Sequence, residues 1–162
     1  MDYTILDKLK TGEYGQEPGE SEQSFMKRML QTMFRRTEDD KTGDVNGRMA
    51  PTPVACDSAA QTVCMEFSPD DWMKNIFGFL HGGLIATAMD ITMGILARWC
   101  RLRENVMTAQ MSVSYLRPVP ADRPYRVSAR VTKAGRPALF VDAELTVVGE
   151  EKPAATASAV YM

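Results

Sequence analysis

The sequence predicts an α+β fold in which a mostly antiparallel sheet packs one face against a single dominant helix. Three observations carry this expectation. The stretch from about Gly83 to Arg101 is apolar and long enough to be a core helix. Four runs of alternating apolar and polar residues follow it. The gaps between these runs are short and rich in proline and glycine, which suits antiparallel neighbours and is too short for parallel crossovers. With 162 residues, 44% of them hydrophobic and 25% charged, the chain has the size and composition of one globular domain.

Taken in order, the first twenty residues hold Gly12, Gly15, Pro18 and Gly19 among polar neighbours and read as a mobile arm. Residues 21–37 read as an amphipathic packing helix: Ser21 can cap it, Phe25, Met26, Met29, Leu30, Met33 and Phe34 recur at helical spacing, and Lys27, Arg28, Arg35 and Arg36 fall on or near the polar side. Residues 41–50 read as a loop. We therefore divide the chain into an N-terminal arm and helix, 1–49, and a main domain, 50–162. The first strand pattern is Val63, Met65 and Phe67, and Ser68 to Asn75 connects it to the apolar helix. Beyond the helix, one apolar face is Ala109, Met111, Val113 and Tyr115, and the next is Tyr125, Val127, Ala129 and Val131. The last two are Leu139, Val141, Ala143, Leu145 and Val147, then Ala155, Ala157, Ala159 and Tyr161. Pro118, Pro120 and Asp122, then Gly135 and Pro137, then residues 149–153 supply the turns.

Composition excludes several function classes. Nineteen basic against 21 acidic residues leave a net charge of −2, with no global bias toward nucleic acid or an anionic membrane. The three cysteines, Cys56, Cys64 and Cys100, are odd in number and lack CxxC spacing, so free thiols in a reducing, cytoplasmic setting are expected rather than disulfides or zinc. No basic segment followed by an apolar stretch opens the chain, so no signal peptide is expected. Residues 76–97 are long enough to span a bilayer, but two glycines, a central Asp90 and the strands that need covering favour a core helix, without membrane insertion.

On that helix Gly83, Thr87, Asp90 and Gly94, spaced 4, 3 and 4, form a narrow small-and-polar stripe. Leu84, Ile85, Ala88, Met89, Ile91, Ile95 and Leu96 take much of the remaining circumference and face the sheet. His81-Gly82-Gly83 sits at the helix start, where backbone N–H groups lack intrahelical partners and the dipole is positive. Glycines there admit a ligand to the backbone and leave amides free to hold a developing oxyanion. His81, the only histidine, is expected to orient this loop rather than act as a base. Gly82 and Asp90 are eight residues apart, about 12 Å along one helix axis, too far for one reacting carbonyl to touch both. If both serve one site, the carboxylate comes from a second subunit across a two-fold axis.

With the run Asn75-Ile-Phe-Gly78-Phe-Leu-His81-Gly82-Gly83, Asp90 seven residues beyond the last glycine, Tyr115-Leu116-Arg117-Pro118 and the Gly135 turn, the sequence resembles the hotdog-fold acyl-CoA thioesterases of the phenylacetate-degradation (PaaI-like) family over about residues 50–162. The resemblance implies a long helix wrapped by a curved antiparallel sheet, in homodimers often paired into tetramers. It implies hydrolysis of an aryl- or fatty-acyl-CoA to free acid and coenzyme A, with no cofactor beyond the coenzyme A of the substrate. Gly82 would supply the oxyanion N–H, Asn75 and His81 would shape its loop, and Asp90 of the facing subunit would be general base or nucleophile. Thr108 matches a position whose hydroxyl helps hold the attacking water. Gly83, Arg117, Lys133 and Arg136 are candidates for substrate binding, the cations by meeting coenzyme A phosphates. The rivals are a hotdog dehydratase and a non-catalytic acyl-CoA-binding hotdog protein. The dehydratase calls for Phe-Pro-Gly after the histidine, whereas Gly-Gly follows His81. A binding-only site has no use for a desolvated carboxylate such as Asp90.

Overall fold

The structure is a computed structural model that describes residues 4–34, 43–102 and 104–162. Three helices, α1 (Thr4–Thr11), α2 (Glu22–Met33) and α3 (Val45–Met49), precede strands β1 (Thr52–Asp57) and β2 (Thr62–Phe67). The long helix α4 (Gly82–Cys100) follows, then β3 (Thr108–Tyr115), β4 (Tyr125–Ala134), β5 (Leu139–Val147) and β6 (Ala155–Tyr161). The six strands form one antiparallel sheet in the order β1-β2-β4-β5-β6-β3.

Period-two alternation puts one set of side chains against α4. Val63, Met65 and Phe67 of β2 pair across to Ala129, Val127 and Tyr125 of β4, and all six are buried. Leu139, Val141, Ala143, Leu145 and Val147 continue that surface on β5, and Ala155, Ala157, Ala159 and Tyr161 close it on β6. Against it α4 buries Ile85, Ala88, Met89, Met93, Ile95 and Leu96. Leu84 and Ile91, expected on the same side, are partly buried against the core. By length and composition α4 could cross a membrane, yet its apolar side is this core.

The strand β1 was not expected. Pro53, Ala55 and Cys56 break the alternation that marks a half-buried strand, and β1 lies at the sheet edge with a bulge between Pro53 and Ala55, where a proline costs no ladder bond. The helix α2 lies against it. Gln23 donates from Nε2 to the Cys56 carbonyl at 2.7 Å and accepts from the Ser58 N–H at 2.8 Å, while Phe25 packs on Trp99 of α4 with ring centroids 5.3 Å apart. Residues 41–50, expected as a loop, contain α3, capped by Asp44. Arg35 and Arg36, placed by sequence on the polar side of the second helix, lie outside the described residues.

The N-terminal segment is also more ordered than its glycines suggest. Residues 4–11 form α1, and the stretch after it is tied to Arg28 of α2. The Arg28 guanidinium donates to Glu20 Oε1 and Oε2 at 2.9 and 2.7 Å and to the Gly15 carbonyl at 2.8 Å, and it lies 4.8 Å over the Tyr14 ring. The arginine hydrogen bonds lower the Glu20 carboxyl from its ordinary 4.5 to about 2. A carboxyl so lowered favours the docked form above its ordinary value and loses that effect as pH falls through the folded value. The 12–20 segment is therefore expected to stay protected from amide exchange near neutral pH, and to lose protection as pH falls from 4.5 toward 2. Arg28→Ala should expose it already at pH 7, as read by hydrogen exchange or limited proteolysis.

At β3 the sequence alternation fails by one residue. Thr108 pairs with Tyr161, but the next pair is Gln110 with Val160, so a bulge absorbs Ala109. From Met111 onward the inner face is the expected one, Met111, Val113 and Tyr115, opposite Ala159, Ala157 and Ala155. The bulge replaces Ala109 with Thr108 on that face, because one inserted residue reverses the side on which all preceding side chains emerge.

Candidate active site

The segment before α4 is a tight hairpin-like loop built around Asn75. Its Oδ1 accepts from the N–H groups of Phe77 at 2.9 Å and Phe79 at 3.2 Å, and its own N–H donates to the Phe79 carbonyl at 2.8 Å. Gly78 takes a φ of +81° in the turn, a value glycine adopts without strain. Backbone bonds from His81 to Met73 and from Leu80 to Val119 anchor the loop to its surroundings.

His81 is the N-cap of α4, and its Nδ1 accepts the Gly83 N–H at 3.0 Å. That bond leaves the ring proton on Nε2. A Cβ at Gly83 would lie 3.2 Å from His81 Nδ1, so the glycine makes room for this cap. Leu84 and Ile85 N–H groups both reach the His81 carbonyl, at 2.9 and 3.1 Å. Of the first N–H groups, that of Gly82 is left without an acceptor among the described residues. Gly83, expected to bind substrate, has its N–H committed to His81 instead. The free donor sits at the positive end of a 19-residue helix, a place suited to a developing negative charge. Tyr115 steadies it: the phenol donates to the Gly82 carbonyl at 2.9 Å, and its ring lies 3.5 Å from where a Gly82 Cβ would be.

Two turns along α4 lies Asp90, partly accessible on the stripe with Gly83, Thr87 and Gly94. Its Oδ1 accepts from Thr108 Oγ1 at 2.8 Å and from the Tyr161 hydroxyl at 3.2 Å. Burial, then the charge of Asp90, push the Tyr161 hydroxyl well above the ordinary phenol range, so it remains a protonated donor. Asp90 Oδ2 accepts no hydrogen bond among the described residues. Sequence reasoning placed Tyr161 on an inner strand face and gave it no chemical role. The signal was available in principle, since Tyr161 is the one hydroxyl-bearing side chain ending a run of inward alanines.

Gly82 and Asp90 remain eight residues apart on one straight element, about 12 Å along its axis, so a single chain does not bring them together. The cations divide likewise. Arg117 is exposed just beyond Tyr115, at the Gly82 end of α4. Arg136 pairs with Glu104 and belongs to the turn that Arg101 holds at the Gly135 carbonyl, beyond the other end of α4, and exposed Lys133 lies near the end of β4 that leads into it. Burial pushes the Cys100 thiol up to about 11 and also raises Cys56, which disfavours thiolate chemistry at both. No cluster of three or more metal-ligating side chains occurs among the described residues. A groove of about 520 Å³ lies on the outer sheet face between residues such as Cys64, Arg130 and Glu144; neither Gly82 nor Asp90 lines it.

A family model described as the thioesterase superfamily matches residues 77–154, which takes in the His81 cap, Gly82, Asp90, Thr108 and Tyr115. That stretch of the chain is similar to the thioesterase superfamily. The chain is similar to acyl-coenzyme A thioesterase THEM4 of Rattus norvegicus, with 26% identity over 157 residues, covering 92% of this chain and 66% of that protein. The chain spans between about a third and two thirds of the length of the THEM4 relatives it matches, from 36% to 66%. Among solved structures, a phenylacetic acid degradation-related protein from Ralstonia eutropha superposes with a TM-score of 0.68 at 26% identity, covering 82% of this chain and 98% of that one. The Escherichia coli PaaI protein superposes with a TM-score of 0.71 at 15% identity, covering 87% and 94%. The fold is thus the hotdog fold, a curved antiparallel sheet around one long helix, here with additional N-terminal helices.

Proposed function

We propose that two copies of this chain form an acyl-CoA thioesterase, which hydrolyses an aryl- or fatty-acyl-CoA to the free acid and coenzyme A. The observation that carries this reading is the pairing of a free Gly82 N–H with a half-held Asp90 carboxylate on one face of α4, too far apart to act together within one chain. The acyl-CoA substrate is the one named for the THEM4 relatives.

A second copy completes the site. The strand β3 is a free sheet edge, and exposed apolar side chains surround it and the loop before α4: Tyr115, Leu116 and Met107, with Ile76 93% and Phe77 76% accessible. An unpaired edge flanked by such residues favours pairing with another chain. Antiparallel α4 helices across a two-fold axis carry Asp90 of one copy toward Gly82 of the other, giving two equivalent sites. These dimers pair further into tetramers in the cytoplasm, the setting that suits free thiols.

In each site the thioester oxygen accepts from the Gly82 N–H. Asp90 takes a proton from a water, whose oxygen attacks the carbonyl carbon. The resulting oxyanion is held at the helix start, and its collapse breaks the carbon–sulfur bond and releases the coenzyme A thiolate. A thioester is activated enough that a carboxylate and an oxyanion donor suffice without a nucleophilic triad. Arg117, at the Gly82 end, meets a phosphate of the coenzyme.

The test is thiol release from a panel of aryl- and fatty-acyl-CoAs. Turnover of at least one of them is expected. Saturable binding without turnover of any would replace this reading with that of an acyl-CoA-binding protein.

A further inference from the structure

We infer that Tyr161 is a positioning residue of the reaction: by holding Asp90 Oδ1 together with Thr108, it orients the carboxylate so that Oδ2 is the oxygen presented to the substrate. The inference rests on the thioesterase reading and deepens it.

Three independent pieces of architecture converge on this contact. The first is register. Thr108 and Tyr161 are directly opposed on β3 and β6, and the bulge at Ala109 brings Thr108 onto the same inner face as Tyr161. Without that extra residue Thr108 would point away from the helix and the pair could not share one oxygen. The second is the seat of the phenol. The ring lies over Gly94, one turn beyond Asp90, close enough that a Cβ there would be in ordinary contact with it at 3.7 Å. The third is the donor itself. The Tyr161 side chain is buried, with 2% of the residue accessible, and its hydroxyl lies 3.2 Å from Asp90 Oδ1 and 3.4 Å from the Asp90 carbonyl.

The consequence is asymmetry between the two carboxylate oxygens. Oδ1 carries two donated hydrogen bonds, one of them from a rigid aromatic side chain fixed in the core. Oδ2 carries none among the described residues. A carboxylate free to rotate would offer its reactive oxygen in the productive direction for only part of the time. Locking one oxygen removes that loss and leaves the other with its lone pairs available to a water proton. Thr108, which spends its own proton on Oδ1, can still accept a hydrogen bond from the same water.

The test compares Tyr161→Phe and Tyr161→Leu with the unsubstituted chain on an acyl-CoA that the wild type turns over. Tyr161→Phe keeps the ring against Gly94 and removes only the donor. It is expected to lower kcat about tenfold, the scale of one hydrogen bond to a charged group, with KM changed less than twofold and the melting temperature retained. Tyr161→Leu loses the ring as well and should fall at least as far in kcat. Wild-type kcat in Tyr161→Phe, with loss confined to Tyr161→Leu, would mean that only packing matters and would overturn the inference. So would a rise in KM at unchanged kcat. If the wild type turns over and Asp90→Asn does not, while Tyr161→Phe is unaffected, this inference fails alone; if the wild type hydrolyses no acyl-CoA, the functional reading fails and takes this inference with it.

Discussion

Asp90→Asn is expected to lower kcat for acyl-CoA hydrolysis by about 10²- to 10⁴-fold, the range for losing a positioned general base. The substitution is unusually clean here. Asparagine keeps a carbonyl oxygen in the place of Oδ1, so it can still accept from Thr108 and Tyr161, and it changes only the oxygen that bears no hydrogen bond among the described residues. The variant should therefore keep its fold and bind substrate with a KM near that of the wild type. Steady-state kinetics beside a thermal melt separate the two. A melt unchanged within a degree or two and a kcat close to wild type would remove Asp90 from the chemistry.

The second large effect is expected from Gly82→Pro. Gly82 occupies the first helical position of α4, where proline is tolerated because its missing N–H has no partner within the helix. His81, which would precede the proline, already has the extended conformation this requires, with ψ at 132°. A Cβ at position 82 meets the Tyr115 ring at 3.5 Å, an ordinary contact. The helix should form as before, lacking only the one free N–H. Removing a single oxyanion donor costs about 10²- to 10³-fold in kcat, and a loss of that size with an intact fold is expected. Activity within threefold of wild type would place the oxyanion elsewhere.

The parts of the molecule that could be read from sequence are those set by local patterning or by residue types with few uses. Alternation over β4, β5 and β6 and the apolar periodicity of α4 follow directly from burying one face. His81, Gly82 and Asp90 stood out because a histidine-glycine pair at a helix start and a carboxylate on an apolar helix are both uncommon. What could not be read depends on contacts distant along the chain. Tyr161 and Asp90 are 71 residues apart, and nothing in a run of alternating alanines says what the final tyrosine hydroxyl will meet. The Ala109 bulge is invisible because an alanine fits the inner face as well as Met111 does, so the alternation can be continued through it in the wrong phase. Arg28 reads as an exposed cation until the turn at Gly15 and Glu20 folds back onto it.

Subunit exchange tests the shared site most directly. Asp90→Asn chains and Gly82→Pro chains, each nearly inactive alone, are mixed and allowed to exchange, with heterodimers counted by native mass spectrometry. A heterodimer then holds one site with both native groups and one with neither. With random pairing half the dimers are mixed, so the account predicts recovery of roughly a quarter of wild-type activity. Heterodimers that form in full yet recover no activity would contradict a site built from Gly82 of one chain and Asp90 of another.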